Sequence, residues 1–286
     1  TAEVLDMIKN MGQPNYYVGM EIGEMWGYTV VGLFKNWEDI ANSPAQKYKQ
    51  TVDKSNYPGQ VKFADLDGDK KVDYGNLALD DHGDISIIGN SKPRYNFGIN
   101  LSANWNGIGL SVFLQGVGKR DWYPGYDAGY FWGKYGRPFF SFVPTIHRLT
   151  NDTMPQYNED RSECLNYDTA YWPRVTTYMC NGDTNQTTIM NFPNTRYKQN
   201  AAFLRVKSVQ LDYTFNQKVC KALGLSGLKV YVNGENLLTF TPMHKWAPNL
   251  DPEGCWGGDP DFSSSGINGN GYPIFATGTV GINVTF

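Results

Sequence analysis

RYNFGINLSANWNGIGLSVFL, residues 94–114, decides how the rest of the chain is read. Its odd positions to 105 are Tyr95, Phe97, Ile99, Leu101, Ala103 and Trp105, whereas the even ones are Arg94, Asn96, Gly98, Asn100, Ser102 and Asn104. A period of two predicts a strand with one greasy and one wet face, since successive side chains of a strand point to opposite sides. Asn106-Gly107 is the preferred dipeptide of a two-residue hairpin, and Ile108, Leu110, Val112 and Leu114 resume the alternation on the way back. The stretch predicts a long antiparallel hairpin.

Further strands follow the same pattern. Leu204 and Val206 lie on one parity and Val209, Leu211, Tyr213 and Phe215 on the other, which predicts a strand with a bulge near Lys207-Ser208. A short helical turn is expected at 217–223. The next strand carries Leu228, Val230, Val232, Leu238 and Phe240 on one face and Lys229, Tyr231, Asn233, Glu235 and Thr239 on the other. A last strand runs from about Phe275 to Phe286, and ending on an aromatic residue suggests a terminus held in a sheet, because free termini fray. An earlier strand is expected through Met25 to Phe34.

Between the strands the connections are of two kinds. Asn106-Gly107 and the segment 217–227 are short, whereas 35–93, 117–201 and 241–273 are far longer than a typical loop of about five residues. Short turns at one end of a sheet and large loops at the other is the asymmetry of outer-membrane barrels. Charged residues are 19%, aromatics 15% and glycines 31 in number, a balance suited to an aromatic- and Gly-rich β protein. No run approaches a transmembrane helix, a test that alternating strands escape. The net charge of -3 with scattered Lys and Arg leaves no basic stripe for nucleic acid. The chain shows no charged-then-apolar leader at Thr1, so any export signal is expected to have been removed or to lie upstream. Six strands are too few for a barrel, whose smallest form has about eight, so the sequence is expected to be a fragment completed by strands upstream.

The order of motifs resembles the last quarter of the SusC/RagA group of TonB-dependent outer-membrane transporters of Bacteroidetes. The matching segments are Gly27-Tyr28 through Gly32-Leu33-Phe34, Pro58-Gly59 to Asp73, Ile88-Gly89-Asn90 to Gly98, Leu101 to Gly116, Asn194-Thr195-Arg196 to Tyr213, and Tyr231 to Leu237. The resemblance implies an all-β fold, with residues 1–286 forming the C-terminal strands of a large transmembrane antiparallel β-barrel of about 22 strands. Residues 35–93, 117–201 and 241–273 would be its large extracellular loops. It further implies an N-terminal plug that contacts TonB, absent from these residues, and a SusD-like surface lipoprotein as lid. The expected activity is import of oligosaccharides, or less often oligopeptides, across the bacterial outer membrane. On this reading Lys229, Tyr231, Asn233 and Glu235 face the lumen, while Ile108, Leu110, Val112 and Leu114 face lipid.

The sharpest local motif is Asp65-Leu66-Asp67-Gly68-Asp69-Lys70-Lys71-Val72-Asp73. Calcium takes six to eight oxygens, and Asp65, Asp67, Asp69, the Lys71 carbonyl and Asp73 have the spacing to fold around one ion. The match to an EF-hand loop is incomplete, because Lys70 replaces the Gly and Asn76 the bidentate Glu; Asp80, Asp81 or Asp84 would supply the missing ligand. The bland alternative is an Asx-rich turn without metal. In either case the loop's role is structural.

Aromatic rings crowd residues 122–142, and Trp122, Tyr126 and Trp132 are the candidates for stacking on a sugar face. The alternative is that such rings form the loop's own small core or pack against the lid. Asp251, Glu253, Asp259 and Asp261 read as a solvated acidic loop rather than as glycosidase carboxylates. His82, His147 and His244 have no triad or metal spacing, and nothing argues for an enzyme. Cys164, Cys180, Cys220 and Cys255 form no CxxC pair; Cys164 and Cys180 share a loop and either pair or remain free buried thiols. The competing fold is a secreted carbohydrate-binding β-sandwich, which would use the aromatic loops directly.

Overall fold

The computed structural model describes residues 17–46, 56–76, 78–123, 154–173, 193–246, 250–254 and 274–286. Strands dominate: β1 (Glu24–Tyr28), β2 (Val30–Leu33), β3 (Ala45–Gln46), β4 (Val61–Phe63), β5 (Lys71–Val72), β6 (Ile85–Asn90), β7 (Arg94–Trp105), β8 (Ile108–Lys119), β9 (Asp121–Trp122), β10 (Gln199–Asn200), β11 (Phe203–Thr214), β12 (Gly227–Phe240) and β13 (Thr277–Thr285). Among the described residues the helical elements are α1 (Trp37–Asn42), α2 (Gln217–Ala222) and a 3-10 turn at Pro242–Lys245. No helix among the described residues is long and apolar enough to cross a membrane.

The long strands form one five-stranded antiparallel sheet in the order β13-β12-β11-β8-β7. The β7–β8 hairpin has the predicted first strand and turn, its return strand runs on to Lys119 beyond the expected start of the loop at 117, and it closes at Asn106 and Gly107, whose φ angles of 48° and 85° are the left-handed pair that such a turn needs. A Cβ on Gly107 would lie 2.6 Å from the Thr214 carbonyl oxygen, so the turn also requires the missing side chain. The expected bulge appears as a register shift between Val206 and Ser208 in both ladders of β11. It moves the apolar set from even to odd positions and so keeps one face greasy along the whole strand. Asn216 caps α2, its side chain accepting from Val219 N at 3.1 Å, in the predicted position of a helical turn.

Register unites the alternating patterns into two faces. Leu101 pairs with Val112, Leu110 with Leu211, Leu211 with Val232, and Val232 with Val280, giving one unbroken apolar surface. It is uncovered: Leu101 is 56% exposed, Val232 54% and Val280 78%. In a sandwich a second sheet would pack on this face, and among the described residues none does. The opposite face pairs Ser102 with Ser111, Ser111 with Gln210, Gln210 with Asn233, and Asn233 with Thr279. Tyr231 belongs to it and lies over Gly281, where a Cβ would meet its ring at 2.2 Å.

The segment from Met25 to Phe34 departs from the expected single strand of this sheet. It breaks into β1, which pairs with β6, and β2, which pairs with β4. Its residues are too buried on both faces for a wall strand, as Met25, Tyr28, Leu33 and Phe34 are each at most 5% exposed. Two buried clusters organise this part of the molecule. One gathers Tyr28, Leu33, Val61, Phe63, Val72, Ile85 and Ala170; the other gathers Met25, Ile88, Trp122, Tyr123, Trp172, Tyr197, Ala201 and Met243. Residues far apart in sequence are stitched by the main chain: Pro193 O accepts from Tyr28 N at 2.8 Å, Tyr28 O from Thr195 N at 3.0 Å, and Lys35 O from Cys164 N at 2.7 Å. Cys164 and Cys220 are free, buried thiols, and Cys180 lies outside the described residues.

Candidate functional site

Four arrangements among the described residues bring polar and aromatic side chains together. In the acidic loop, the short Asp side chains turn back onto their own backbone. Asp65 accepts from Gly68 N at 2.7 Å and from Lys70 N at 3.0 Å, and Asp67 accepts from Asp69 N at 3.0 Å. Asp69 is directed to Lys71, accepting from its N at 2.7 Å and pairing with its Nζ at 3.1 Å. Asp73 accepts from Gly75 N at 2.8 Å. Asp84, only 1% exposed, reaches across from the far end of the loop and accepts from Asp73 N at 2.9 Å and from Leu66 N.

The outcome is that carboxylate oxygens of Asp65, Asp67 and Asp84 lie within 4.8 Å of one another. Of the residues expected from spacing, Asp65 and Asp67 belong to this group, whereas Asp69, Lys71 and Asp73 make the contacts above. Burial pushes the Asp84 carboxyl above the usual carboxylate range, amide donors from Asp73 and Leu66 oppose this, and the nearby Asp67 and Asp65 add to the rise. Oxygen-only donors of this kind suit a hard cation such as calcium.

Among the stacking candidates, Trp122 is 1% exposed and sits in the second buried cluster. In this arrangement its role is packing. Tyr126 and Trp132 lie outside the described residues. Beside the same cluster, Tyr171 stacks on Trp246 with centroids 3.6 Å apart and planes 6° from parallel. The Arg196 guanidinium lies over the other ring system, 5.0 Å from the Tyr171 centroid, and Tyr171 Oη donates to Arg196 O at 2.8 Å.

Arg196 also borders a cleft of about 760 Å³ whose lining includes Leu33, Lys35, Asp39, Lys62 and Tyr167. Asn36 caps α1 at its mouth, accepting from Asp39 N at 2.8 Å. Burial raises the Asp39 carboxyl, yet the Lys62 ammonium at 2.8 Å and the Lys35 amide hold it below the usual range.

The fourth arrangement is on the polar face of the sheet. Arg205 of β11 pairs with Asp251 and, at 2.8 Å, with Glu253; Lys207 approaches both oxygens of Glu253 at 2.8 Å. The Arg205 and Asp251 side chains are only 4% and 8% exposed, so these two carboxylates are not the solvated loop acids that spacing suggests. The correction has a simple cause: Arg205 is distant in sequence, and only register and the path of 250–254 bring it there. Burial raises the Asp251 carboxyl, but the Arg205 hydrogen bond and charge outweigh it and hold it low. Glu253 and Arg120 border a second cleft of about 520 Å³ against Asn96, Gln115 and Phe203. Asp259 and Asp261 lie outside the described residues.

No family model matches the chain. Its sequence is similar to TonB-dependent receptor P3 of Formosa agariphila, 25% identical over 273 residues that make up 94% of this chain and 22% of the relative. TonB-dependent receptor P26 of the same organism is 26% identical over 288 residues, 99% of this chain and 24% of the relative. The fold is similar to part of the RagAB peptide transporter, with a TM-score of 0.54 at 18% identity over 99% of this chain and 24% of that one. The open-open state of the RagAB peptide importer gives 0.52 at 18% identity, over 98% and 24%.

In sequence the chain is similar to TonB-dependent receptors, and in fold to the RagA-type transporters, as its motifs led one to expect. It spans about a quarter of the length of the relatives it matches. TonB-dependent receptors reside in the bacterial outer membrane, and so does this segment. The uncovered apolar face of its sheet thereby acquires a solvent, because in lipid the exposed Leu101, Val232 and Val280 are where they belong. The names of the relatives are those of receptors and of a transporter, and none is that of an enzyme. Sequence reasoning passed over Arg196 and Arg205 as individual residues and ranked Asp84 only as one of three reserves. Their significance depends on contacts across dozens of residues, which no local spacing displays.

Proposed function

We propose that this SusC/RagA-type chain forms the last strands of the barrel wall and the external loops of a TonB-dependent importer of nutrient oligomers. Residues 35–93, 117–201 and 241–273 are then the large extracellular loops, and the remaining strands and plug come from chain beyond these residues. The observation that carries the reading is the five-stranded sheet with a continuous apolar face outward and a polar face inward, in a chain similar to TonB-dependent receptors. The residues here do no bond chemistry: the wall and loops shape a cavity, a SusD-like lipoprotein presents the ligand, and TonB, acting through the plug, opens the way. Oligosaccharides are the first choice of cargo and oligopeptides the second, the latter favoured by the fold likeness to a peptide transporter.

The test is the size and heat-modifiability of the native polypeptide in a detergent-solubilised outer-membrane fraction, detected through the β13 segment. A species much larger than 32.2 kDa that migrates faster unboiled than boiled is expected. A soluble 32.2 kDa species without a heat shift overturns the reading. Uptake of labelled oligosaccharide or oligopeptide that stops when TonB is inactivated then separates the two cargos.

Within this reading, calcium is held by Asp65, Asp67 and Asp84 and stiffens the external loop. The support is the convergence of their oxygens around a carboxyl that burial, and to a lesser extent its acidic neighbours, pushes up. Added calcium is expected to raise the thermal midpoint of the loops in the native protein, and Asp84→Asn to abolish that rise. No calcium dependence in the unsubstituted protein removes the ion from the account.

A further inference from the structure

We infer that the cleft beside Arg196 is a carboxylate-binding subsite in which the Arg196 guanidinium receives the ligand's carboxylate. Its cationic lining consists of Lys35, Lys62 and Arg196. Lys62 is engaged by Asp39 at 2.8 Å, and Lys35 by Glu163 at 3.4 Å. Arg196 differs. Among the described residues no carboxylate lies within ion-pair distance of it, and its guanidinium is held instead by the face of Tyr171.

That support is rigid. Tyr171 is fixed from behind by its stack on Trp246 and from the side by the hydrogen bond from its hydroxyl to Arg196 O. The Asn194 side chain accepts from Arg196 N at 3.0 Å and from Tyr197 N at 3.2 Å, which fixes the backbone of the same turn. A guanidinium without a carboxylate partner keeps N–H donors for an acceptor, and a carboxylate matches its planar fork with two parallel bonds. Burial lowers the basicity of Arg196, as expected for a cation short of water and of a counter-ion, while Tyr171 and Tyr197 oppose the shift. Glu38 and Asp168 also line the cleft, but both are exposed, so a carboxylate at Arg196 meets them at the solvent-facing rim. The volume of about 760 Å³ accommodates a short stretch of an oligomer rather than a single small ion.

Two sources offer this chemistry: the uronate of an acidic oligosaccharide and the C-terminal carboxylate of a peptide. The inference rests on the importer reading only for the ligand being a short oligomer. Binding is measured by calorimetry on the full-length transporter in detergent with two matched pairs, tetragalacturonate against cellotetraose and tetra-alanine against its C-terminal amide. In one pair the carboxylate member is expected to bind at least roughly tenfold more tightly, the worth of a charge-assisted hydrogen bond. The pair that shows it names the source. Arg196→Gln is expected to erase the difference and Arg196→Lys to retain part of it, each with an unchanged heat shift. Equal affinities within both pairs of the unsubstituted protein, or discrimination that survives Arg196→Gln, overturn the inference. Loss of the heat shift in the unsubstituted protein would instead overturn the importer reading.

Discussion

The five-stranded sheet and the body built on the Trp122–Trp172 cluster use the same apolar residue types in opposite ways. In the body they are inside: Trp122, Trp172, Tyr197 and Met243 are at most 1% exposed, and polar side chains cap the turns around them. In the sheet they are outside, with Ile282 at 67% and Leu211 at 53%, while Asp212 and Arg205 occupy the other face at 9% and 3%. The hydrophobic effect ranks environments by contact with water, so it places apolar residues in a core where water surrounds the protein and on the outside where lipid does. Two solvents therefore act on one chain, and the boundary between them runs near the ends of β8 and β11.

The sharpest way to break this contrast is to open the body alone. Trp172→Ala is expected to cost about 3–5 kcal/mol locally, since it leaves a cavity among Tyr171, Tyr197 and Trp246. Limited proteolysis should show the segments around Trp172 cut faster, while the heat shift expected on the importer reading persists. Simultaneous loss of both would mean that body and wall are one cooperative unit.

A charge on the outward face tests the wall. Leu211→Arg is expected to cost about 2–4 kcal/mol near the bilayer midplane, whereas Gln210→Arg, one residue away on the inward face, should be nearly neutral. Urea titrations of the protein refolded into vesicles measure both. Equal effects would refute the assignment of faces.

The seam between the regions is the Arg205–Asp251–Glu253–Lys207 network. Arg205→Leu is expected to cost about 1.5–3 kcal/mol, because Asp251 loses its counter-charge in a site with little water. The pH dependence follows from Asp251, whose carboxyl is held below its ordinary value of 3.8 in the folded protein. Its contribution is complete above 3.8 and is lost as pH falls through the lower folded value. Thermal midpoints followed to low pH should fall more steeply in the unsubstituted protein than in Asp251→Asn. The smallest effect belongs to the hairpin: Asn106→Ala places an alanine at a φ of 48° and is expected to cost about 1 kcal/mol by the same urea titration.

Much of the wall was legible beforehand, for a physical reason visible in Arg94–Trp105. A strand that separates two environments must alternate residue by residue, so its faces are written in the local order of side chains. The bulge near Ser208 was readable too, because parity changes there. The segment Met25–Phe34 misled because its apolar and aromatic residues favour extended chain, yet β1 and β2 serve short ladders within the buried body. Acidic residues were the least legible: Asp251 and Glu253 resemble any polar loop until Arg205 arrives.

What the sequence by itself determined is the two-faced sheet, its hairpin, its bulge and the alternation of short and long connections. These depend on neighbours one or two residues apart and on φ values that Asn and Gly adopt most readily. Only the tertiary structure decided that Asp84 joins Asp65 and Asp67, that Trp122 is packed inward, and that Arg196 lies over Tyr171 and borders a cleft. Those outcomes follow from contacts between segments that the folded backbone alone brings together. Their strength depends on burial, a property that no residue carries until the chain around it has folded.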